Sequence, residues 1–439
     1  MVGSGMPETY ELKLLLQYVK KVVDTYGRPV EIPSELDTMI KTVMTALKKL
    51  KNSGYKDPEV LDPKVPEDLF EYWDIAAAAR ESYRNDVQYY FSGNTTVYEA
   101  EKVSDMVGQW LDEIELGIER SFKFATVGYG DDGTSGIPAS FFAYNITKWE
   151  LNDGRNDVGL PLVNPRAMKL IKFPLFLEGP VRYMKTIQDD QDRMADIYDR
   201  VKESGLRDTK LKMYFLSASL QGQSYDMGRQ MAFAPGWLEN QSIWMHMSYK
   251  YYLQLIRGQL YDQFFSEMKD GGILPFMDPD VYGRSLMECS SFIASSAFPD
   301  PSIVGEGFLA RLSGSTAEFM DMWKLMFLGP KLFYLNDDKE VEMQLTPALP
   351  SWLFEDDESD GEPMFDEDGN HIVKFKLFAS IPVTYHNPGG KSLYGVSPKS
   401  YKITMKHGDV VSVDGPSIPT ETALKIRRMK GVKSIDAYF

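Results

Sequence analysis

The sequence has a single cysteine, Cys289, among its 439 residues. A lone thiol cannot form an intramolecular disulfide, which excludes a disulfide-stabilised scaffold and is typical of a reducing compartment. No run approaches 18 consecutive apolar residues, so we expect no membrane-spanning helix and no membrane partner. Residues 1–9 show no secretory signal and are interpreted as a tag or disordered start, with a new start before Met6. We therefore expect a cytoplasmic protein.

Positive charge is also scarce. The chain has 48 Lys and Arg residues against 64 Asp and Glu residues, a formal net charge of −16. Nucleic-acid backbones require a basic face, so we expect no nucleic-acid partner, although a local phosphate site is compatible with this charge. The chain lacks the glycine-rich nucleotide motifs, the GxSxG nucleophile elbow and any His/Cys spacing typical of zinc. We expect no metal and no organic cofactor.

What is present is helical periodicity over most of the first 330 residues. Pro66 is typical of a helix start, and Thr96 with Glu99 forms a plausible capping box before a long helix that ends near Phe124. The predicted helices are 10–25, 34–51, 66–91, 97–123, 174–187, 191–204, 239–257, 258–269 and 315–328.

The stretch 127–172 breaks this pattern, because Gly, Asp, Asn and Pro surround the aromatic run SFFAYNITKW. We predict a long loop with a hairpin there, of the sort that carries function. Paired helices with long loops favour a mainly α fold, an α/α toroid whose loops build a site. From about residue 340 the period changes to two, which predicts a small C-terminal antiparallel β domain. We assign 10–335 to a helical toroid catalytic domain and 336–439 to the β domain.

One histidine, His246, lies outside the predicted β domain. Glu239 precedes it by seven residues, about two helical turns, so a helix over 239–257 would place both on one face. A buried polar pair of this kind is a candidate ligand site. The alternative is a histidine that packs in the core with its hydrogen bonds satisfied.

A second candidate is the run RLSGSTAE at 311–318, just before a predicted helix. Backbone amides and hydroxyl groups at a helix N-terminus bind anions well. The alternative is that Ser315 or Thr316 is simply the N-cap. The residues of interest are Ser313, Gly314, Ser315 and Thr316.

A third candidate is YGRS (282–285), which is followed by the serine-rich run ECSSFIASSAF (288–298), a run that is too polar for an ordinary core helix. Its polar members could contact a ligand, and the alternative is a loop packed by its own hydroxyl groups. The residues of interest are Tyr282, Arg284, Ser290 and Ser291.

The predicted helix 66–91 carries the candidate acids Asp74 and Asp86 among aromatic residues. Glycoside cleavage needs an acid that protonates the leaving oxygen, and burial among Tyr72, Trp73 and Tyr83 would raise the pKa of such an acid. The alternative is a salt-bridged surface helix.

The chain contains the segments FPLFLEGPVRYMK (173–185), APGWLENQSIWMH (234–246), RLSGSTAEF (311–319) and LTPALPSWLF (345–354). Together, and in this order, they resemble the cellobiose-phosphorylase family of inverting glycoside phosphorylases. Within it the likeness is closest to the 1,2-β-oligoglucan phosphorylases, where YGRS and SSFIASSAF also fit. The resemblance runs from about residue 66 to the C-terminus.

This resemblance implies an (α/α)6 barrel and direct phosphorolysis with inversion, in which phosphate replaces the activated water and one carboxylate is the general acid. Carried over by position, His246, Ser313, Gly314 and either Ser315 or Thr316 would bind phosphate. The residues that would bind substrate are Trp237, Glu239, Asn240, Tyr282, Arg284, Ser290 and Ser291.

The sequence departs from the family pattern at three points. The expected WND-type acid motif is absent, which leaves Asp74 and Asp86 as the nearest candidates. Leu238 stands where cellobiose phosphorylases carry a basic residue, which favours a different glucan linkage. The chain is also much shorter than family members and lacks counterparts of the front β-sandwich and of the first helices of the barrel, so either the missing part is a separate chain, or this is a fragment, or the protein has been remodelled.

We therefore expect phosphorolysis of β-1,2-linked gluco-oligosaccharides to α-glucose 1-phosphate, with inorganic phosphate as co-substrate. Two alternatives stay open. The first is a glucan hydrolase on the same toroid, with Asp131 or Asp132 as base. The second is a non-catalytic carbohydrate-binding subunit that needs a separate N-terminal-half chain or a second copy.

Overall fold

The computed structural model describes residues 2–55, 64–124, 136–272, 292–309, 313–354 and 365–439. The chain forms two compact units. The first comprises Met1–Tyr251 and Phe292–Leu309, and the second comprises Tyr252–Ser291 and Ala310–Phe439. The boundary predicted between residues 335 and 336 falls inside the second unit.

The first unit contains the four longest helices: α1 (Met6–Tyr26), α2 (Ser34–Asn52), α3 (Glu67–Asp86) and α4 (Ala100–Phe124). α1 packs on α4, and α2 packs on α3. α1 has Pro7 in its first turn and is followed by Gly27, whose φ of 58° is the left-handed conformation that favours glycine. Within the described ranges, no helix is long and apolar enough to cross a membrane.

A long antiparallel hairpin follows α4. It consists of β4 (Phe141–Arg155) and β5 (Pro161–Lys172), and β1 (Val2–Gly5) pairs with β4 on its other edge. Phe142 and Leu170 belong to a core cluster with Tyr10 of α1 and Ile118 of α4. The hairpin predicted within 127–172 is confirmed. Within the segment interpreted as a tag or disordered start, residues 2–5 pair with β4 and residues 6–9 form the first turn of α1.

Short elements complete the first unit, and many are too short to leave a periodic signal in the sequence. The strand pair β2–β3 precedes α4, the pair β6–β7 follows the helices α5 and α6, and β8, β9 and β10 form a three-stranded sheet. Their bounds are β2 (Val30–Pro33), β3 (Thr95–Tyr98), α5 (Glu178–Met184), α6 (Gln191–Glu203), β6 (Arg207–Asp208), β7 (Met213–Tyr214), β8 (Ile243–Trp244), β9 (Phe292–Ile293) and β10 (Gly307–Leu309).

The predicted capping box before α4 is wrong. Thr96 lies in β3, and its hydroxyl donates to the Asp37 carboxylate at 3.2 Å instead of capping the helix. The helix begins at Ala100, and the carbonyl of Glu99 accepts from the backbone N–H of Val103 at 3.1 Å. Strand pairing therefore overrides the local capping signal.

Helix α7 (Met245–Arg257) begins in the first unit and ends in the second. The other helices of the second unit are α8 (Tyr261–Glu267), α9 (Ser313–Leu328) and α10 (Thr420–Arg427). Its shorter strands are β11 (Phe333–Leu335), β12 (Val341–Gln344), β13 (Ala348–Leu349), β16 (Leu393–Tyr394) and β19 (Ser417–Ile418).

The largest sheet of the second unit has the strand order β14-β15-β20-β17-β18. Its strands are β14 (His371–Leu377), β15 (Ile381–Asn387), β17 (Ser400–Met405), β18 (Val410–Asp414) and β20 (Val432–Tyr438). The pair β15–β20 is parallel and the other pairs are antiparallel. In β17, Tyr401, Ile403 and Met405 are buried, which is the alternation expected of a sheet with one face in the core.

The expectation of a mainly α toroid is wrong. The structure is 43% helical and 26% strand, with ten helices and several small sheets among the residues it describes. Most predicted helices do form, so the prediction of a mainly α fold failed in the segments between the helices. The predicted hairpin has strands of 15 and 12 residues, and segments interpreted as loops form strands as short as two residues. Backbone pairing of such short strands is decided by distant partners rather than by local periodicity.

A charged cluster joins the last strand of the large sheet to the segment before β14. The His386 ring contacts Asp366 through Nδ1 at 2.6 Å and Asp436 through Nε2 at 3.2 Å, and it stacks on Tyr438. Burial opposes a charge on the ring, but the hydrogen bonds to Asp436 and Asp366 outweigh it and raise the pKa of His386 above its ordinary value.

The raised pKa of His386 predicts a stabilisation that is present at low pH. It is complete below about pH 6.5, the ordinary histidine value, and is lost as the pH rises through the folded-state pKa. We expect Asp436→Asn to lower the free energy of unfolding by about 1 kcal/mol at about pH 6, and by much less at about pH 9. Urea denaturation at the two pH values measures this difference.

The matched control is Asp409→Asn, which removes the partner of His407. That pair is 3.2 Å apart, but the side chains are 63% and 81% exposed, so water already screens it and we expect no measurable change. Equal destabilisation by Asp436→Asn at both pH values would contradict a protonated His386.

Candidate functional site

The segment 234–246 in the first unit begins with a tight turn and continues through β8 into the first two residues of α7. Gly236 has a φ of 80°, Leu238 of 47° and Gln241 of 53°. Two non-glycine residues with positive φ within four positions store backbone strain, and such strain persists only where the surroundings fix it. The prediction that one helix carries both Glu239 and His246 is wrong, because Glu239 lies in this turn and α7 begins at Met245.

Side-chain hydrogen bonds to the backbone hold the turn. The Leu238 carbonyl accepts from the Trp244 Nε1–H at 2.7 Å and from the Ser242 hydroxyl. The Gln241 carbonyl accepts from the Ser295 hydroxyl at 2.5 Å, and the Gln241 amide donates to the Ser217 hydroxyl oxygen at 3.1 Å. Leu238 is therefore held by later residues of the same segment and Gln241 by two serines of other segments, which explains how the positive φ angles are maintained.

Trp237 anchors the turn to the core. Its ring lies 4.9 Å from Phe292, 5.2 Å from Phe298 and 4.8 Å from Phe308, measured between ring centroids. The ring is half-buried, and three phenylalanine neighbours take up much of its surface. These contacts show that the Trp237 ring packs against neighbouring phenylalanines. The predicted role of Trp237 in substrate binding stays a prediction.

Glu239 and Asn240 follow Trp237 and point to different environments. The Glu239 carboxylate pairs with Arg229, which donates to it from Nε at 3.1 Å and from a terminal nitrogen. Asn240 is 8% exposed, and its Nδ2 donates to the Phe233 carbonyl at 2.8 Å. Its Oδ1 is buried and accepts no hydrogen bond from the described part of the chain.

His246 is the second residue of α7, and its ring meets that of Trp244 edge to face at 5.5 Å. Nδ1 is buried and has no hydrogen-bond partner among the described residues. Burial, assisted by the positive charge of Lys250, lowers the pKa of His246 below its ordinary value. The imidazole is therefore neutral at pH 7, with one nitrogen able to donate and the other able to accept.

The turn and the start of α7 thus carry three buried polar atoms without a partner in the described residues: Asn240 Oδ1, His246 Nδ1 and Ser248 Oγ. Buried polar groups are normally paired, since leaving one unpaired costs about 1–3 kcal/mol. Three of them within nine residues, beside a strained turn, indicate a site where a polar ligand supplies the missing hydrogen bonds.

The other predicted site residues are placed as follows. Asp74 and Asp86 lie on α3 and are exposed, and α3 has no buried residue, so the expected burial of these acids among aromatic side chains is wrong. On the same helix, the Glu81 carboxylate accepts hydrogen bonds from Arg80 and Arg84. This arrangement matches the alternative prediction, a salt-bridged surface helix. The general-acid role of either aspartate stays a prediction.

Ser313, Gly314, Ser315 and Thr316 form the first turn of α9 in the second unit, where the structure gives their helical backbone. Their phosphate-binding role stays a prediction. The remaining substrate-binding candidates, and the candidate hydrolytic bases, lie outside the described residues. They are Tyr282, Arg284, Ser290, Ser291, Asp131 and Asp132.

Trp237, Glu239 and Asn240 therefore lie in the turn, and His246 lies at the start of α7, six residues after Asn240. Sequence reasoning missed the serines that fix it, Ser217, Ser242 and Ser295, and the unpaired Ser248. Ser295 belongs to the serine-rich run that the sequence marks as too polar for a core helix, so a signal existed for that residue. No group of His, Cys, Asp and Glu in the described ranges could hold a metal ion.

Comparison with protein-family models gives no match to this chain, and comparison with curated proteins gives no significant match.

The close packing of the turn predicts that Gly236→Ala strongly destabilises the protein. A Cβ at this position would overlap the backbone nitrogen of Phe298, and its φ of 80° disfavours any L side chain. We expect a loss of about 3 kcal/mol in the free energy of unfolding, measured by urea denaturation.

Gly222→Ala is the matched control, because Gly222 has nearly the same φ, 78°, with no atom within 4 Å of the added Cβ. Gly222→Ala therefore measures the backbone strain alone, and we expect it to lower the free energy of unfolding by about 1 kcal/mol. Equal losses for the two variants would show that the close approach to Phe298 does not constrain the turn.

Proposed function

We propose that this chain is a glycoside phosphorylase that cleaves β-linked gluco-oligosaccharides, of the β-1,2 type, and releases α-glucose 1-phosphate. The observation that carries the proposal is the group of three unpaired buried polar atoms in the turn and the start of α7, Asn240 Oδ1, His246 Nδ1 and Ser248 Oγ. Sugar hydroxyl groups and phosphate oxygens are ligands that can supply the missing hydrogen bonds. The resemblance of the surrounding segment to inverting phosphorylases supports this choice of ligand.

In this proposal His246 contacts phosphate. The neutral imidazole donates one hydrogen bond to a phosphate oxygen, and the nearby charge of Lys250, which lowers the pKa of His246, attracts the anion. Glu239 and Asn240 contact the sugar next to the cleaved bond, with Arg229 orienting the Glu239 carboxylate. The strained turn keeps these groups in place before substrate arrives, so little reorganisation is needed on binding.

The reaction balances with one acid. A phosphate oxygen attacks the anomeric carbon from the face opposite the leaving group and forms the new C–O bond. The glycosidic bond breaks, its electron pair passes to the leaving oxygen, and a carboxylic acid gives that oxygen a proton. Asp74 and Asp86 are our candidates for the acid. Both are exposed in the free protein, so either would act only where bound substrate covers it.

The proposal predicts phosphate-dependent turnover that requires His246. The purified chain should release glucose 1-phosphate from β-1,2-gluco-oligosaccharides in phosphate buffer, and His246→Ala should lower kcat/KM by about 100-fold. His407→Ala, at an exposed histidine of the second unit, is the control and should leave the rate unchanged. Added phosphate should also raise the pKa of His246 in the intact protein, measured by NMR titration of the imidazole protons, because an anion favours the imidazolium.

Each other outcome has a distinct meaning. Release of free glucose at an unchanged rate without phosphate would replace the proposal with the hydrolase alternative. An unchanged pKa of His246 at saturating phosphate, together with full activity of His246→Ala, would remove this histidine from the site.

A second candidate is a carbohydrate-binding subunit that is completed by another chain. It is favoured by the outer face of α1, where Leu12, Leu15 and Tyr18 are 44%, 57% and 66% exposed at a spacing of three residues. Contiguous exposed apolar side chains mark interaction surfaces.

This second candidate predicts saturable binding of β-1,2-gluco-oligosaccharides, measured by calorimetry, without product release in either buffer. Leu15→Glu should then abolish association with the completing chain or copy while leaving sugar binding intact. Tyr26→Glu, at a 67% exposed residue near the end of α1, is the control. Phosphate-dependent turnover by the monomeric chain would overturn this candidate.

A further inference from the structure

An uncharged and exposed loop joins α3 to β3 in the first unit. We call residues 87–94, with the sequence VQYYFSGN, the aromatic loop. The run without Lys, Arg, Asp or Glu continues through β3 to residue 98, in a chain of which 26% is charged. Residues 88–95 are all exposed. The function proposed above assigns no role to this loop.

Three consecutive aromatic side chains of the loop are exposed to water. Tyr89, Tyr90 and Phe91 are 84%, 77% and 50% exposed, and Tyr89 is the most exposed large apolar side chain among the described residues. None of the three rings contacts another aromatic ring in the described part of the chain. Single exposed apolar side chains are ordinary on a protein surface, but a contiguous group of large ones marks an interaction surface.

The backbone of the aromatic loop is held in place by α2 and by a hydrogen bond within the loop. The Ser92 amide donates to the Glu35 carboxylate at 2.8 Å, and the Asn94 carbonyl accepts from the Ser34 amide at 2.9 Å. The Asn94 amide donates to the Ser92 hydroxyl oxygen at 3.2 Å. Because these bonds fix the backbone in the free protein, little ordering of the loop is needed when a ligand binds.

Uncommitted polar groups lie beside the rings. The side-chain amides of Gln88 and Asn94 and the hydroxyl groups of Tyr89 and Tyr90 make no hydrogen bond to another described residue. Each amide and each hydroxyl group can both donate and accept a hydrogen bond. The loop therefore offers neutral hydrogen-bonding groups next to aromatic faces.

This chemistry distinguishes between classes of ligand. Nucleic acids and anionic membrane surfaces are bound through Lys and Arg, and residues 87–98 contain neither. A sugar ring has apolar C–H faces and a rim of hydroxyl groups, so it matches an aromatic face that is flanked by neutral amides and hydroxyl groups. The aromatic loop therefore fits a neutral carbohydrate better than a charged polymer.

We propose that the aromatic loop binds a neutral glucan chain, with sugar rings stacked on Tyr89 and Tyr90 and sugar hydroxyl groups bound by the side-chain amides of Gln88 and Asn94. The loop is a second carbohydrate-binding surface, in addition to the residues that contact the cleaved bond. The choice of a β-1,2-linked glucan rests on the function proposed above, whereas the loop chemistry itself requires only a neutral polyhydroxylated ligand.

Retardation of the full chain in native gels that contain soluble β-1,2-glucan measures this binding. Tyr89→Ala and Tyr90→Ala should each weaken binding by about fivefold, and the double variant should weaken it by at least about tenfold, because a stacked ring is lost each time. Tyr26→Ala is the control, since Tyr26 is 67% exposed at the end of α1, and it should leave binding unchanged.

Two further measurements separate stacking on a sugar from general apolar association. Tyr89→Phe keeps the flat ring and should bind within about twofold of the unmodified chain, whereas Tyr89→Leu keeps apolar surface without a flat face and should weaken binding as much as Tyr89→Ala. Because no charged group takes part, raising NaCl from about 50 mM to about 500 mM should leave binding unchanged.

Turnover keeps this inference separate from the proposed function. The double variant should retain kcat/KM on short β-1,2-gluco-oligosaccharides and show a raised KM on long chains. A chain that releases no glucose 1-phosphate but binds glucan through Tyr89 and Tyr90 would contradict the proposed function and support the second surface. Unchanged glucan binding by the double variant would overturn the second surface, and an altered sedimentation coefficient of that variant would then assign the loop to a protein contact.

Discussion

The pairing of β4 with β5, and of β1 with β4, is the constraint on which the first unit depends. The hairpin base contributes Phe142 and Leu170 to the cluster that also receives Tyr10 and Ile118, so one pair of strands supplies the surface on which α1 and α4 pack. The amide of Met6 donates to the Ser140 carbonyl at 2.9 Å, which fixes the start of α1 relative to the hairpin. The same strands also line an open cleft whose other wall is α3.

The turn at 234–246 contains locally unfavourable features that contacts with surrounding residues compensate. Positive φ at Leu238 and Gln241 and unpaired polar atoms at Asn240 and His246 are each unfavourable. Compensation comes from serine hydroxyl groups on other segments and from the aromatic packing of Trp237. Such a combination is typical of sites that bind a ligand, because the cost is recovered when the ligand supplies hydrogen bonds. The alternative of an ordinary core histidine leaves Nδ1 of His246 unexplained.

The fate of the candidate acids illustrates a limit of sequence patterns. Aromatic neighbours in sequence suggest a buried carboxylate, yet neighbours in a helix point in different directions. On α3 the aromatic face turns toward an open cleft, while Asp74 and Asp86 remain exposed to water. The helix itself is predictable from its periodicity and from Pro66 before its first turn, but its degree of burial depends on how closely α4 and the hairpin approach it.

The sequence by itself determined the helices with strong 3.6-residue periodicity, among them α1, α2 and α4, and the strands of the second unit, whose alternation of apolar residues is regular over five to seven positions. It also marked the segment 234–246 as the place to look for a site. The tertiary structure alone decided that Glu239 lies in a turn, that Thr96 belongs to a strand, and that Arg80 and Arg120 line one cleft. Each of these depends on contacts between residues far apart in the chain, and a local pattern carries no information about which distant partner supplies the hydrogen bond or the packing surface.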